Sequence, residues 1–133
     1  MNNQGEFPKP TTSLKTEDIV RARQVVRDVY MDEKIEKYIV DIVYATRTPK
    51  DYGLDKLVDL ISYGASPRAS ISLSMASKAY AFIKRRGYVI PEDVRAVCNE
   101  VLRHRIGLTY EAEAENVTTE EIISEVLNAV QVP

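Results

Sequence analysis

The chain has 133 residues, of which 44% are hydrophobic and 29% are charged, and its formal net charge is −2. This length fits one domain with its own core, and the negative charge argues against a general DNA-binding protein, which usually carries a basic excess. A single cysteine, Cys98, and a single histidine, His104, exclude an internal disulfide and a zinc site built from four cysteine or histidine ligands.

Residues 1–13 are polar and are interrupted by Pro8 and Pro10, which predicts a linker or a disordered arm. They show neither the charged start nor the apolar stretch of a signal peptide. No apolar run in the sequence approaches the ~20 residues that span a bilayer. We therefore expect a cytoplasmic protein without a membrane span, with one folded domain over residues 14–133.

Helical periodicity dominates after the arm, with apolar residues at the i, i+3, i+4 spacing of helices that bury one face. This pattern predicts an all-α fold, a compact bundle of about five to six helices. The predicted helices run over about Lys15 to Tyr30, Asp32 to Arg47, residues 54 to 62, Pro67 to Arg86, Pro91 to His104, and from Thr118 onward.

Local signals predict where several of these helices begin and end. Thr16 and Asp32 are residues that cap helix N-termini with their side-chain oxygens. Gly87 follows three basic residues and is expected to end its helix in the left-handed conformation. The segment from Ile106 to Asn116 has no clear period, and we assign it no regular structure.

A phosphate-binding P-loop is missing from the sequence. Such a loop needs a glycine followed by lysine and then serine or threonine, because backbone amides and the lysine together hold the phosphates. None of the five glycines is followed by lysine. The chain alone is therefore not expected to bind ATP tightly or to catalyse its hydrolysis.

The segment Gly64-Ala65-Ser66-Pro67-Arg68 predicts a tight turn that leads into a helix, with Ser66 as the cap and Pro67 in the first turn. A helix N-terminus favours an anion, whereas an arginine there is locally unfavourable unless an anion arrives. The guanidinium of Arg68 is suited to grip phosphate oxygens. The alternative is an ordinary capped helix start in which Arg68 is solvated.

The segment Gly64-Ala65-Ser66-Pro67-Arg68-Ala69-Ser70 resembles the second-sensor motif of MoxR-type AAA+ ATPases. Further segments resemble that family in the same order along the chain: Tyr38 to Arg47, Gly87 to Val94, Val101 to Ile106, and the closing Val132-Pro133. The resemblance covers nearly the whole folded part. One departure is Ile90, which stands where the family has threonine or serine, so the side-chain cap before Pro91 is lost.

The resemblance implies that residues 14–133 are the C-terminal helical lid of such an ATPase, with the nucleotide-binding core absent from this chain. Arg68 would then be the second-sensor arginine, which contacts the γ-phosphate of ATP bound with Mg²⁺ in the complete protein. Gly64, Ser66 and Pro67 would form the turn that places it. The lid would work with its own core and with neighbouring subunits of a hexameric ring on a client protein that the sequence does not identify.

Tyr38 and Ile39 lie on the apolar stripe of the second predicted helix, where they would offer an apolar wall to adenine or simply form helix core. Two rival functions are also open. One is a helical protein-interaction module with no nucleotide role. The other is DNA binding through Lys84 to Arg105, but Glu92 and Asp93 at the start of the recognition helix would repel phosphates. We therefore expect no nucleic-acid partner and no metal ligand within the chain.

Overall fold

A computed structural model describes residues 15–133, so the predicted arm at residues 1–13 lies outside the described residues. The described part contains six α-helices and one small two-stranded antiparallel sheet, which confirms the predicted helical bundle. Two 3-10 turns, Pro49–Tyr52 and Asp55–Leu57, precede the first strand. The elements are α1 Thr16–Arg27, α2 Glu33–Arg47, β1 Ile61–Tyr63, α3 Ala69–Ile83, α4 Pro91–Leu102, β2 Gly107–Leu108, α5 Tyr110–Ala114 and α6 Thr119–Ala129.

Helix α2 lies at the centre of the bundle and contacts α3, α4 and α6. Asp32 caps it as predicted, accepting the backbone N–H of Lys34 at 3.0 Å. Its apolar stripe is buried, and burial of one such aliphatic side chain stabilises a fold by about 1.5–3 kcal/mol. The buried residues of α2 are Ile35, Tyr38, Ile39, Ile42, Val43, Ala45 and Thr46.

Helix α1 lies against α3 and has no fully buried residue. The N-cap position is occupied by Lys15 and not by the predicted Thr16, which is the first helical residue. The helix also ends three residues earlier than predicted, because Tyr30 pairs in parallel with Tyr88 as a short bridge. No helix in the described part of the chain is long and apolar enough to cross a membrane.

The predicted helix over residues 54–62 is wrong. A 3-10 turn and strand β1 stand there instead, and Ile61 pairs with Leu108 of β2. A short apolar run cannot be assigned to helix or strand from its period alone. The segment from Ile106 to Asn116, to which we assigned no regular structure, contains β2 and the short helix α5.

Helix α3 ends in a left-handed residue, as predicted, but that residue is Arg85 (φ 63°) and not Gly87. The N–H of Arg86 donates to the carbonyl of Ala81 at 2.9 Å, and the N–H of Arg85 donates to the carbonyl of Phe82 at 2.9 Å. This is the Schellman pattern, which satisfies the last carbonyls of the helix. The carbonyl of Gly87 accepts the N–H of Tyr30 at 2.9 Å and so anchors the connection to α4.

An ion pair between Arg86 and Asp93 joins the end of α3 to the start of α4. The two terminal guanidinium nitrogens of Arg86 each donate to one carboxylate oxygen of Asp93 at 2.6 Å. The Asp93 side chain is 0% exposed. Asp93 also accepts the backbone N–H of Ile90 at 2.9 Å, which satisfies one N-terminal donor where no side-chain cap is available. Burial alone would raise the pKa of Asp93, but these hydrogen bonds outweigh burial and lower it.

Acid is expected to destabilise the domain through Asp93. The pKa of Asp93 is lower in the folded chain than its ordinary value of about 3.9 in the unfolded chain. The stability that the charged Asp93 side chain contributes is therefore complete above the unfolded-state pKa, and it is lost as the pH falls through the folded-state pKa. Urea unfolding at about pH 6 and about pH 3 should show a larger acid loss of unfolding free energy in the wild type than in Asp93→Asn. Equal losses in the two proteins would contradict this assignment.

Candidate functional site

Four of the predicted site residues lie on the loop that joins β1 to α3, namely Gly64, Ser66, Pro67 and Arg68. The carbonyl of Ser66 accepts the N–H of Ala69 at 2.8 Å, and that of Pro67 accepts the N–H of Ser70 at 3.1 Å. The turn therefore forms as predicted, but α3 itself begins at Ala69 with Arg68 in the cap position. The expected cap at Ser66 is wrong, because Arg68 and not Ser66 occupies the cap position.

The loop passes directly against the C-terminal end of α2 at Gly64. A Cβ atom built on Gly64 would stand 2.2 Å from the carbonyl oxygen of Thr46 and 2.7 Å from the backbone nitrogen of Arg47. Atoms cannot approach so closely, and the backbone of α2 cannot move away as the end of a flexible side chain would. Glycine is therefore required here for close packing of the loop on α2.

Two hydrogen bonds hold the next residue, Ala65, to the same helix end. The N–H of Ala65 donates to the hydroxyl of Thr46 at 3.0 Å, and the guanidinium of Arg47 donates to the carbonyl of Ala65 at 3.2 Å. Ala65 and Thr46 are both buried. The backbone of the loop is thus fixed on both its donor and its acceptor side, three residues before Arg68.

Arg68 is exposed at the surface of the domain. Among residues 15–133, its guanidinium forms no ion pair with a carboxylate. The first turn of α3 contains no acidic residue either, so the positive end of the helix and the arginine charge are not compensated locally. This arrangement can bind an anion through charge-assisted hydrogen bonds, with the backbone behind it held in place.

Tyr38 and Ile39 lie in the core, and each side chain is 1% exposed. The hydroxyl of Tyr38 accepts a hydrogen bond from Arg95 at 3.3 Å, which satisfies the one polar atom of this buried ring. The adenine wall at these residues stays a prediction, whereas their burial favours the packed-core interpretation. The structure does not bring them to the surface that carries Arg68.

The sequence did not identify three residues that help to position the loop, which are Thr46, Arg47 and Gly107. Strand β1 leads into the loop, and its last residue, Tyr63, lies over Gly107 of β2, where a Cβ atom would stand 2.2 Å from the ring. A threonine that ends an apolar helical stripe is the signal that points to Thr46. For Gly107 the sequence offers only a lone glycine in a segment without period.

Cysteine and metal chemistry is not supported within the described residues. Cys98 is buried, and burial raises its pKa to about 12, so the thiol is protonated at neutral pH and is a poor nucleophile or ligand. Among residues 15–133, no group of three or more histidine, cysteine, aspartate or glutamate side chains is placed to hold a metal ion. Arg68 and its loop remain the candidate site.

Comparison with protein families agrees with this geometry. A family model described as the AAA lid domain matches residues 59–126, about half of the chain, including β1, the loop with Arg68, α3 and α4. The chain therefore belongs to the AAA lid domain family.

Similar proteins place this lid in the MoxR family of AAA+ ATPases. Chaperone MoxR1 of Mycobacterium tuberculosis is 36% identical over 126 residues, which cover 95% of this chain and 33% of that protein. Protein MoxR of Paracoccus denitrificans is 38% identical over 87 residues, covering 61% of this chain and 26% of that protein. A crystal structure of a candidate ATPase from Cytophaga hutchinsonii superposes with a TM-score of 0.85 at 44% identity, covering 88% of this chain and 36% of the other. The chain spans about a third of the length of the first curated relative and of this structure.

Proposed function

We propose that this chain is the lid of an ATP-hydrolysing MoxR-type protein and that Arg68 is its second-sensor arginine. In this role Arg68 contacts the γ-phosphate of ATP bound with Mg²⁺ on a core domain, and it couples the state of the nucleotide to the position of the lid. The observation that carries the proposal is an exposed arginine without a carboxylate partner among residues 15–133, at the end of a loop fixed to α2. A planar guanidinium in that position suits phosphate oxygens.

The same proposal includes the setting in which the lid works. It packs with its own ATPase core and with neighbouring subunits of a ring of six, in the cytoplasm, and ATP hydrolysis drives a chaperone-like remodelling of a client protein. Support comes from the relative named as a chaperone and from the similar structure of a candidate ATPase. Catalysis belongs to the complete protein, because this chain has no glycine followed by lysine and therefore no P-loop.

ATP turnover by the complete ATPase tests the role of Arg68. Arg68→Ala is expected to lower kcat by about tenfold or more, which corresponds to about 1.4 kcal/mol of transition-state stabilisation. Arg68→Lys should recover only part of the loss, because lysine keeps the charge but not the paired donors of the guanidinium.

The control for this experiment is Arg21→Ala, which removes an exposed arginine from α1 and is expected to leave turnover unchanged. Thermal melting should confirm that all three variants are folded. Unchanged turnover in folded Arg68→Ala would rule out the sensor role.

A second candidate function, a nucleotide-independent protein-interaction module, is favoured by one surface feature. An open groove of about 690 Å³ runs between α1 and α3, and it is lined mainly by apolar side chains, among them Ile19, Ala22, Val26, Met75 and Ala79. Exposed apolar surface of this kind often marks a protein contact. This function predicts that Arg68 can be replaced without any effect on turnover.

A further inference from the structure

We infer that Thr46 is a positioning residue, whose buried hydroxyl fixes the direction in which Arg68 leaves the domain. The inference rests on the proposed function, because it assigns Thr46 to the same reaction step as Arg68. Thr46 lies on α2, nineteen residues before Ala65 in the sequence, so its contact with the loop is made only by the fold. It does not itself reach the exposed surface on which a nucleotide would be bound.

The Thr46 hydroxyl makes two hydrogen bonds, one as donor and one as acceptor. It donates to the carbonyl of Val43 at 2.6 Å, and it accepts the N–H of Ala65 at 3.0 Å. The bond to Val43 sets the rotation of the hydroxyl, which leaves its lone pairs directed to the loop. Thr46 is 1% exposed and Ala65 is 0% exposed, so water cannot easily replace the threonine if it is removed.

The Thr46 hydroxyl acts together with neighbouring contacts to set the position of the loop. Gly64 already lies at the closest approach to the backbone of Thr46, and Arg47 holds the carbonyl of Ala65 from the exposed side. Only Ser66 and Pro67 separate Ala65 from Arg68, and the proline ring fixes one of their backbone dihedral angles. A shift of Ala65 is therefore passed on to Arg68 with little room for correction.

The competing explanation is that Thr46 only stabilises the lid and has no bearing on Arg68. Stability and positioning are separated by a double-mutant cycle, because two residues that act on the same step lose their effects non-additively. A residue that acts through Arg68 has nothing left to position once Arg68 is gone.

The experiment measures ATP turnover by the complete ATPase in wild type, Thr46→Val, Thr46→Ser, Arg68→Ala and the double variant Thr46→Val/Arg68→Ala. Thr46→Val keeps the shape and removes the hydroxyl, and it is expected to lower kcat by roughly three- to tenfold. Thr46→Ser keeps the hydroxyl and should restore most of the turnover. The double variant should turn over no more slowly than Arg68→Ala alone.

Thr48→Val is the matched control on the same helix end. The Thr48 hydroxyl also donates to a helical carbonyl, that of Tyr44 at 3.1 Å. Among residues 15–133, the hydrogen bond from the Ala65 N–H goes to Thr46 and not to Thr48. Loss of the Thr48 hydroxyl should leave turnover unchanged, and melting curves should show that each variant is folded at the assay temperature.

Three results would overturn the inference. Unchanged turnover in Thr46→Val would show that turnover does not need the Thr46 hydroxyl. If Thr46→Val lowers turnover by the same factor with and without Arg68, the hydroxyl does not act through Arg68. In both cases a tenfold loss in Arg68→Ala would leave the proposed function intact. Unchanged turnover in Arg68→Ala instead removes the proposed function, and any remaining effect of Thr46→Val would then be structural.

Discussion

Arg86→Met is expected to lower the free energy of unfolding clearly, because it leaves the buried carboxylate of Asp93 without its charged partner. The carboxylate of Asp93 is 0% exposed, and it accepts both of its short charged hydrogen bonds from Arg86. Without the arginine, Asp93 either stays charged in an apolar environment or takes up a proton, and each outcome destabilises the folded chain. Urea unfolding at neutral pH measures the loss.

The double variant Arg86→Met/Asp93→Asn provides the control for this prediction. Asparagine removes the unpaired charge, and its side-chain oxygen can still accept the N–H of Ile90, which Asp93 accepts at 2.9 Å in the wild type. The double variant should therefore unfold at a higher urea concentration than Arg86→Met alone. The reverse order would mean that the unpaired carboxylate of Asp93 is tolerated better than asparagine, so the buried charge would not account for the loss of stability in Arg86→Met.

Gly64→Ala is expected to displace the loop that carries Arg68. Its Cβ atom would stand 2.2 Å from the carbonyl oxygen of Thr46, so either α2 or the loop has to move. Overpacking of this kind usually destabilises a protein by about 1–3 kcal/mol. The complete ATPase with Gly64→Ala should also lose about tenfold or more in turnover, because a misplaced catalytic group can lower a rate by up to about 10²-fold.

Gly87→Ala is the matched glycine substitution. A Cβ atom on Gly87 meets no atom within 4 Å, and its φ is not in the left-handed region. The variant should therefore be as stable as the wild type or more stable by about 0.4–1 kcal/mol, because alanine reduces the freedom of the unfolded chain. The measurement compares the melting temperatures and the turnover of Gly64→Ala and Gly87→Ala with those of the wild type. Equal behaviour of Gly64→Ala and Gly87→Ala would contradict the close contact at α2.

The long elements of the fold could be predicted from the sequence because their signals are local. The apolar stripe of α2 and the cap at Asp32 lie within one helix, and periodicity alone finds them. Strand β1 could not be predicted, because its partner β2 lies about 45 residues further along the chain and only the folded chain joins them. The left-handed residue at the end of α3 was also misplaced, because a Schellman turn put Arg85 where glycine is usual.

The candidate site was predictable to the same extent. A short motif gave Arg68 and its turn, since those residues are adjacent in sequence. The contacts that hold the turn, from Thr46 and Arg47 to Ala65, join residues 18 and 19 positions apart, so no local pattern reveals them. Tyr38 and Ile39 show a further limit, because an apolar stripe alone does not distinguish a ligand-facing wall from buried core, and both side chains are buried.

The two attachments of the loop determine how a force at Arg68 would spread through the domain. Behind the arginine the chain is bonded to α2, and just before that point β1 is paired with β2, so the loop cannot swing as a free segment. A pull on the guanidinium is instead transmitted as a torque on the whole helical bundle. Motion started at Arg68 is therefore expected as rigid-body rotation of the domain and not as local ordering or melting of a loop.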